Sequence, residues 1–281
     1  MQTVGDAKQQ ILMLKQLPPF SATAARLLEI LSNDNLSLAA LAKIIGHDPT
    51  VSARILGVAN SAYFGQTTPV LTVEDAIVRV LGFNMVKSLA FSIALSGAFN
   101  TARCRGFDLE AYWFRSLATA QLSREVYRQV ADAAQSDLDG VYLAGLLFDI
   151  GTLVLVHLFP DAYARVLQQL RESPSQDSLQ LEQTLVGINS RQAGAWLTDR
   201  WHLPRVVVQV LAQSPRHSHR CEIAVVALAS DLVRTREDSD RQMPWVLEQM
   251  PGITQTMLRD IETQCCLRDD ELRSIANVML K

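Results

Sequence analysis

Cysteine is scarce in this sequence, and the four cysteines lack the spacing of a disulfide framework. Cys104 and Cys221 are isolated, Cys265 and Cys266 are adjacent, and there is no C-x-x-C unit. Small secreted domains are typically dense in regularly spaced cysteines. The first ten residues, MQTVGDAKQQ, also lack the basic region and apolar core of a secretory signal. We therefore expect reduced thiols and a soluble protein of the cytoplasm.

The sequence also lacks an excess of charge of either sign. The 26 lysines and arginines nearly balance the 29 aspartates and glutamates, which gives a formal net charge of -3 at pH 7. Such a balance provides no general attraction to nucleic acid or to anionic lipid. Nucleic acid is therefore not favoured as a partner, and no membrane partner is expected.

Long apolar stretches are few, and the most prominent is interrupted by a charge. The segment 141–159, VYLAGLLFDIGTLVLVHLF, is nearly long enough to span a bilayer, but Asp149 lies in its middle and no basic cluster flanks it. An ionisable residue at the centre of a membrane helix is costly. This segment therefore predicts a buried central helix.

Signals for β-strands are scarce, because nearly every apolar segment repeats at helical spacing. Helix starts are marked by Asp48 and Thr72, whose side chains can cap the helices that follow, while Gly46 and Gly82 can end helices. The sequence thus predicts an all-α fold. The short polar segment 101–106 predicts a boundary between two abutting helical bundles, residues 1–103 and 104–281.

The segment GLLFDIG at residues 145–151 is similar to the G-L-L-H-D-I-G motif of the HD phosphohydrolases, with Phe148 in place of a metal-binding histidine. Three more segments fit the same comparison: HDPTVSARILGVANSAYFG at 47–65, YWFRSLATA at 112–120 and GINSRQAGAWLTDRWHLP at 187–204. Together they resemble the HDOD family, the HD-related output domain of bacterial signalling proteins, over nearly the whole chain. The resemblance implies that the second bundle is a degenerate HD-like bundle.

The resemblance also indicates where the ligands of a catalytic metal would lie. At the positions of the family's histidines, this chain has Arg115, Phe148, Ser190 and Ser214. Phenylalanine has no donor atom, and the guanidinium of arginine does not deprotonate. Only Asp149 and Asp231 survive, whereas a catalytic zinc site usually needs three protein ligands. We therefore predict no metal, no cofactor and no catalytic residue, with weak magnesium binding by the two aspartates left open.

The surviving aspartates need a partner if they are buried. Asp149 interrupts an apolar helix, and Asp231 shares a helix face with Ile223 and Ala227. Because a buried carboxylate must be paired or protonated, we hypothesise that Arg115 replaces the metal as counter-charge and bridges Asp149 and Asp231. The alternative is that Asp149 caps a helix or contacts water.

Residues 37–60 also resemble a helix-turn-helix, which makes DNA binding the strongest competing class of function. A recognition helix presents several basic or amide side chains to the bases, whereas this one offers Arg54, Ser52 and Asn60. A structural helical hairpin is therefore favoured. The dipeptide His47-Asp48 lies in the turn of this hairpin, and we interpret it as a helix cap rather than a metal site.

The segment NSAYFG at residues 60–65 allows two interpretations. In the functional one, Asn60, Ser61, Tyr63 and Phe64 form an exposed surface that binds a partner. In the structural one, Asn60 ends a helix in the left-handed conformation and Gly65 turns the chain.

The resemblance implies a non-enzymatic regulatory output module that acts on a signalling protein partner. Two alternatives stay open: a metal-dependent phosphohydrolase with a reduced ligand set, and a DNA-binding regulator that uses residues 37–60. The sequence contains no P-loop, no Rossmann glycine pattern and no nucleophilic-serine elbow, so these common catalytic classes are not indicated.

Overall fold

The computed structural model describes residues 21–31, 36–130, 137–174, 176–213, 220–236, 250 and 252–280. Throughout these residues the chain forms helices joined by turns and loops, and no strand occurs in them. The prediction of an all-α fold is therefore confirmed.

The earlier part of the described chain contains α1 (Ala22–Leu31), α2 (Leu38–Gly46), α3 (Pro49–Ala59), a 3-10 turn (Ala62–Phe64), α4 (Val73–Asp75), a π-helix (Ala76–Leu81) and α5 (Phe83–Ser96). Both predicted caps are confirmed, since Asp48 accepts two backbone amides of α3 at 3.1 Å each and Thr72 accepts one of α4 at 3.0 Å. Gly82 ends the π-helix with a φ of 78°. Gly46 is still helical, contrary to the prediction, because His47 forms the C-cap of α2.

The later part contains α6 (Leu109–Val130), α7 (Leu138–Leu146), α8 (Ile150–Leu158), α9 (Pro160–Glu172), α10 (Ser178–Leu185), α11 (Ser190–Arg200), α12 (Arg205–Ala212), α13 (Cys221–Arg234), α14 (Gln255–Cys266) and α15 (Asp269–Leu280). The long helix α6 is the axis of this part, because α7, α13, α14 and α15 all pack against it. Most of its side chains are therefore buried.

The apolar stretch that we predicted as one central helix is divided in two. α7 ends at Leu146 and α8 begins at Ile150, so residues 147–149 form a turn and the prediction of a single helix is wrong. By length and composition Leu138–Leu158 could cross a membrane, but 78% of its most apolar window is buried inside the protein, which is typical of core helices. The turn allows α7 to pack on α6 while α8 packs closely on α11.

The last helix, α15, connects both parts of the chain. It packs against α3, the 3-10 turn and α6. Arg54 Nη2 donates to the Leu280 carbonyl at 3.3 Å, and Asn277 Nδ2 donates to Glu110 Oε1 at 2.7 Å. The boundary between residues 103 and 104 lies between α5 and α6 and stays a prediction, since α15 contacts helices on both sides of it.

Candidate functional site

A cleft of about 610 Å³ lies beside the turn between α7 and α8, where the HD resemblance places a metal centre. Its walls come from α6, α8, α9, α10, α11 and the end of α13. The charged and hydroxyl-bearing side chains that line it within the described residues are Asp108, Tyr112, Arg115, Asp149, Thr152, Tyr163, Arg171, Ser178, Glu182, Ser190 and Arg234. The structure thus brings together Arg115, Asp149 and Ser190 from the predicted positions, whereas Phe148 and Asp231 do not line the cleft.

Phe148 supports a positive charge instead of a metal ligand. The ring is 4% exposed, and the guanidinium carbon of Arg191 lies 3.9 Å from its centroid, which is cation–π geometry. Burial lowers the pKa of Arg191 to about 10, and the Asp149 carboxylate opposes this shift. Arg191 therefore remains positively charged at neutral pH, next to the carboxylate that a metal would otherwise bind.

Asp149 is paired with Arg234, whose Nη2 lies 3.8 Å from Asp149 Oδ1. Arg234 also donates to the Ser178 hydroxyl at 3.4 Å. The hypothesis that Arg115 bridges the two aspartates is wrong, since it forms no ion pair with either within the described chain, and Asp231 is exposed on α13. Asp149 occupies the N-cap position of α8 but makes no capping hydrogen bond, so the capping alternative is wrong as well.

Glu182 is a site residue that the sequence analysis missed. It is 2% exposed, and its two oxygens accept the Ser190 amide at 2.7 Å and the Tyr163 hydroxyl at 3.0 Å. Burial raises the pKa of Glu182, and these hydrogen bonds partly counteract the increase. The carboxylate thereby fixes the start of α11 against α9. Glu182 precedes Leu185 and Val186, which pack in or against the core, by three and four residues, and this helical spacing is a signal that could have revealed its burial.

The donor set of the cleft does not fit a catalytic metal. No group of three or more His, Cys, Asp or Glu side chains in the described part of the chain is placed to hold a metal ion. Phe148 has no lone pair, Asp149 is engaged by Arg234, and Asp231 lies outside the cleft lining. Ser214, the remaining histidine position of the resemblance, lies outside the described residues.

The family profile of the HDOD domain matches residues 17–217 of this chain. The chain belongs to the HDOD family. A structure from Marinobacter aquaeolei VT8, provisionally named a signal transduction protein, has a TM-score of 0.83 and 25% sequence identity to this HDOD chain. That similarity covers 99% of this chain and 66% of the other, so the Marinobacter protein is the longer of the two.

Two further similarities concern the fold and the length of this chain. A structure from Shewanella amazonensis SB2B, provisionally named a phosphohydrolase, has a TM-score of 0.76, 22% identity and coverage of 97% of each chain, which shows a shared fold alone. An uncharacterised protein of Treponema pallidum (strain Nichols) is 25% identical over 221 residues. The alignment covers 75% of this chain and 41% of the relative, so this HDOD chain spans about two fifths of that protein's length.

The segment 60–65 of this HDOD chain forms a structural junction. The side-chain amide of Asn60 donates to the Val70 carbonyl and accepts from the Val70 amide, both at 2.8 Å, and so fixes the following loop to the end of α3. Asn60 has a φ of -89°, so the predicted left-handed conformation is wrong. Gly65 turns the chain with a φ of 58°, as predicted.

Tyr63 is not part of an exposed surface. It is 9% exposed, and the guanidinium carbon of Arg268 lies 3.5 Å from its ring centroid. The Tyr63 carbonyl also accepts a hydrogen bond from Arg268 Nη2. The partner of Tyr63 therefore lies within the chain, between α14 and α15. A partner-binding role for Asn60, Ser61 and Phe64 stays a prediction.

The helix-turn-helix-like hairpin is largely engaged by the rest of the HDOD fold. Arg54 bonds to the end of α15, and a side-chain carbon at Gly57 would lie 2.6 Å from Val278 of the same helix. The Ser52 hydroxyl donates to the Ile45 carbonyl at 2.8 Å. All three side chains that could read DNA are thus occupied, since the Asn60 amide group bonds to Val70, and this does not favour a recognition helix.

Proposed function

We propose that this HDOD protein is a non-enzymatic regulatory module that transmits a signal by binding another protein. The proposal rests on the arginines around Asp149: Arg191 lies over Phe148, and Arg234 pairs with the carboxylate. Positive charges so close to Asp149 oppose the approach of a divalent cation. Phe148, at the position of a metal-binding histidine, offers no lone pair to a metal.

Two observations support a signalling role in the bacterial cytoplasm. The Marinobacter protein, which is 25% identical, carries a signal-transduction name. All four cysteines of this chain are free thiols, which agrees with a reducing compartment. The partner would belong to the same signalling pathway, and the chain needs no cofactor for this role.

We expect the purified chain to bind metal far below one ion per molecule. After incubation with Mg²⁺, Mn²⁺ or Zn²⁺ and desalting, elemental analysis gives the metal content. Hydrolysis of bis(p-nitrophenyl) phosphate by the same samples should be no faster than by Asp149→Ala, because the ligands that would activate a water are absent from the described cleft. Stoichiometric metal together with turnover that Asp149→Ala abolishes would show an enzyme instead.

Partner binding needs a direct measurement with purified components. A protein that copurifies with the chain from its native cells should be produced separately and titrated against it by calorimetry. Saturable binding at 1:1 stoichiometry is the expected result, and Arg54→Ala should leave it unchanged if α3 is not the contact. Salt-dependent binding to duplex DNA that Arg54→Ala removes would favour the DNA-binding alternative.

A further inference from the structure

The acidic side chains of the cleft are already engaged within the protein. Asp108 accepts the Ala111 amide at 2.9 Å and so caps the start of α6. Asp149 is paired with Arg234, and Glu182 accepts two hydrogen bonds. The acceptors that line the cleft therefore have partners, and a ligand has few free negative groups to meet.

The donors of the cleft are in surplus. Arg115 lies on α6 at the cleft wall and forms no hydrogen bond or ion pair with any residue that the structure describes. Arg171 donates to the Gly106 carbonyl at 2.8 Å through one of its nitrogens, and its other donors are not used in this contact. Because an arginine presents five donors in a planar fork, both side chains can accept an anionic group in two-point contact.

Tyr112 adds a buried donor that faces the same space. It lines the cleft and is 2% exposed, yet its hydroxyl has no hydrogen-bond partner of acceptable geometry among the described residues. Burial, and then the Asp149 carboxylate, raise the pKa of the Tyr112 hydroxyl, whereas contact with the Ser116 side chain and the charge of Arg115 lower it. Because the contact with Ser116 does not reach hydrogen-bond geometry, a ligand oxygen in the cleft would be a better acceptor for the proton of this buried hydroxyl.

We propose that the cleft binds a small dianion, held by Arg115, Arg171 and the Tyr112 hydroxyl, and does not hydrolyse it. The volume of about 610 Å³ lies within the range of pockets for small molecules. Two arginines and a hydroxyl suit a doubly charged phosphate or dicarboxylate better than a single carboxylate. The inference deepens the proposed function, because the dianion would be a signal that the module senses.

Calorimetry and thermal shift with the full chain at low salt test this inference. The probes are inorganic phosphate, adenosine monophosphate, succinate and uncharged adenosine. We expect at least one dianion to bind saturably and to raise the melting temperature, while adenosine does neither. Comparison of phosphate, the nucleotide and succinate shows whether the ligand carries a phosphate or two carboxylates.

Three variants identify the contacts. Arg115→Gln is expected to weaken dianion binding about tenfold or more, because a hydrogen bond to a charged group is lost. Tyr112→Phe keeps the ring and should weaken binding several-fold, so it remains informative if Arg115→Gln fails to fold. Arg79→Gln, an exposed position on the π-helix, is the matched control and should bind like the wild type.

The outcomes separate this inference from the proposed function. The inference is overturned if no dianion binds at millimolar concentration, or if Arg115→Gln and Tyr112→Phe both bind like Arg79→Gln. Release of phosphate from the bound nucleotide, followed by ³¹P NMR, would contradict the non-enzymatic role while leaving the binding site in place. If the partner protein binds but no dianion binds, the proposed function is supported and the dianion site is rejected.

Discussion

Gly151→Ala is expected to lower the free energy of unfolding by about 3 kcal/mol, because an added side chain has no space between α8 and α11. A β-carbon at Gly151 would overlap the Ser190 carbonyl and lie 2.6 Å from the Gly194 amide nitrogen. These obstacles are backbone atoms, so they cannot be relieved by a rotamer change. The two helices would have to separate at the wall of the cleft. Urea unfolding followed by far-ultraviolet circular dichroism measures the change.

Gly46→Ala provides the matched control for this prediction. A β-carbon at Gly46 meets nothing within 4 Å, and the residue is the last one of α2. Alanine has a higher helix propensity than glycine, so this variant should be unchanged or more stable by up to about 1 kcal/mol. Equal losses of stability in Gly46→Ala and Gly151→Ala would mean that the close contact of α8 with α11 is not what makes Gly151 necessary.

The helix starts were predictable from sequence because capping is a local interaction. Asp48 and Thr72 accept hydrogen bonds from amides two or three residues further along the chain. A short stretch of sequence therefore contains both partners of each contact. The turn after α7 was not predicted, because it depends on contacts with helices that are distant in the sequence. Its apolar pattern continues through Leu147 and Phe148, and only the packing of α7 on α6 and of α8 on α11 divides the helix.

The counter-charge of Asp149 could not be assigned from sequence, because it depends on where distant helices bring long side chains. The family pattern directed attention to Arg115, which does reach the cleft but leaves Asp149 to Arg234. Arg191 follows a predicted position, Ser190, by a single residue, and nothing in the local pattern shows that its guanidinium covers Phe148. The motif positions Arg115, Asp149 and Ser190 therefore led to one cleft, but they did not reveal its ion pairs.

Glu182→Leu is expected to lower the free energy of unfolding by about 3 kcal/mol, because the buried donors that it satisfies would lose their acceptor. The affected groups are the Ser190 amide, at 2.7 Å, and the Tyr163 hydroxyl, at 3.0 Å. Leucine has a similar size but no acceptor. Tyr163→Phe removes one of the two hydrogen bonds and should cost less than Glu182→Leu. A leucine variant as stable as the wild type would show that the carboxylate does not hold α11 in place.

The pH dependence of stability gives an independent test of how Glu182 is buried. Burial, together with the nearby Asp149 carboxylate, keeps the pKa of Glu182 above its ordinary value of 4.5, although the hydrogen bonds from Ser190 and Tyr163 work in the opposite direction. The folded state therefore holds the proton more tightly than the unfolded state. The contribution of Glu182 to stability is greatest below about pH 4.5 and declines as the pH rises through the folded-state pKa.

Glu182→Gln removes this titration while keeping the shape of the side chain. The free energy of unfolding of the wild type minus that of Glu182→Gln should therefore decrease as the pH rises above 4.5, and become constant once the folded-state carboxylate is ionised. Urea unfolding of both proteins across this range gives the difference, and Glu29→Gln, an exposed position on α1, supplies the comparison. A difference that increases with pH would show that the hydrogen bonds to the carboxylate outweigh its burial, so that the cleft stabilises a negative charge at Glu182.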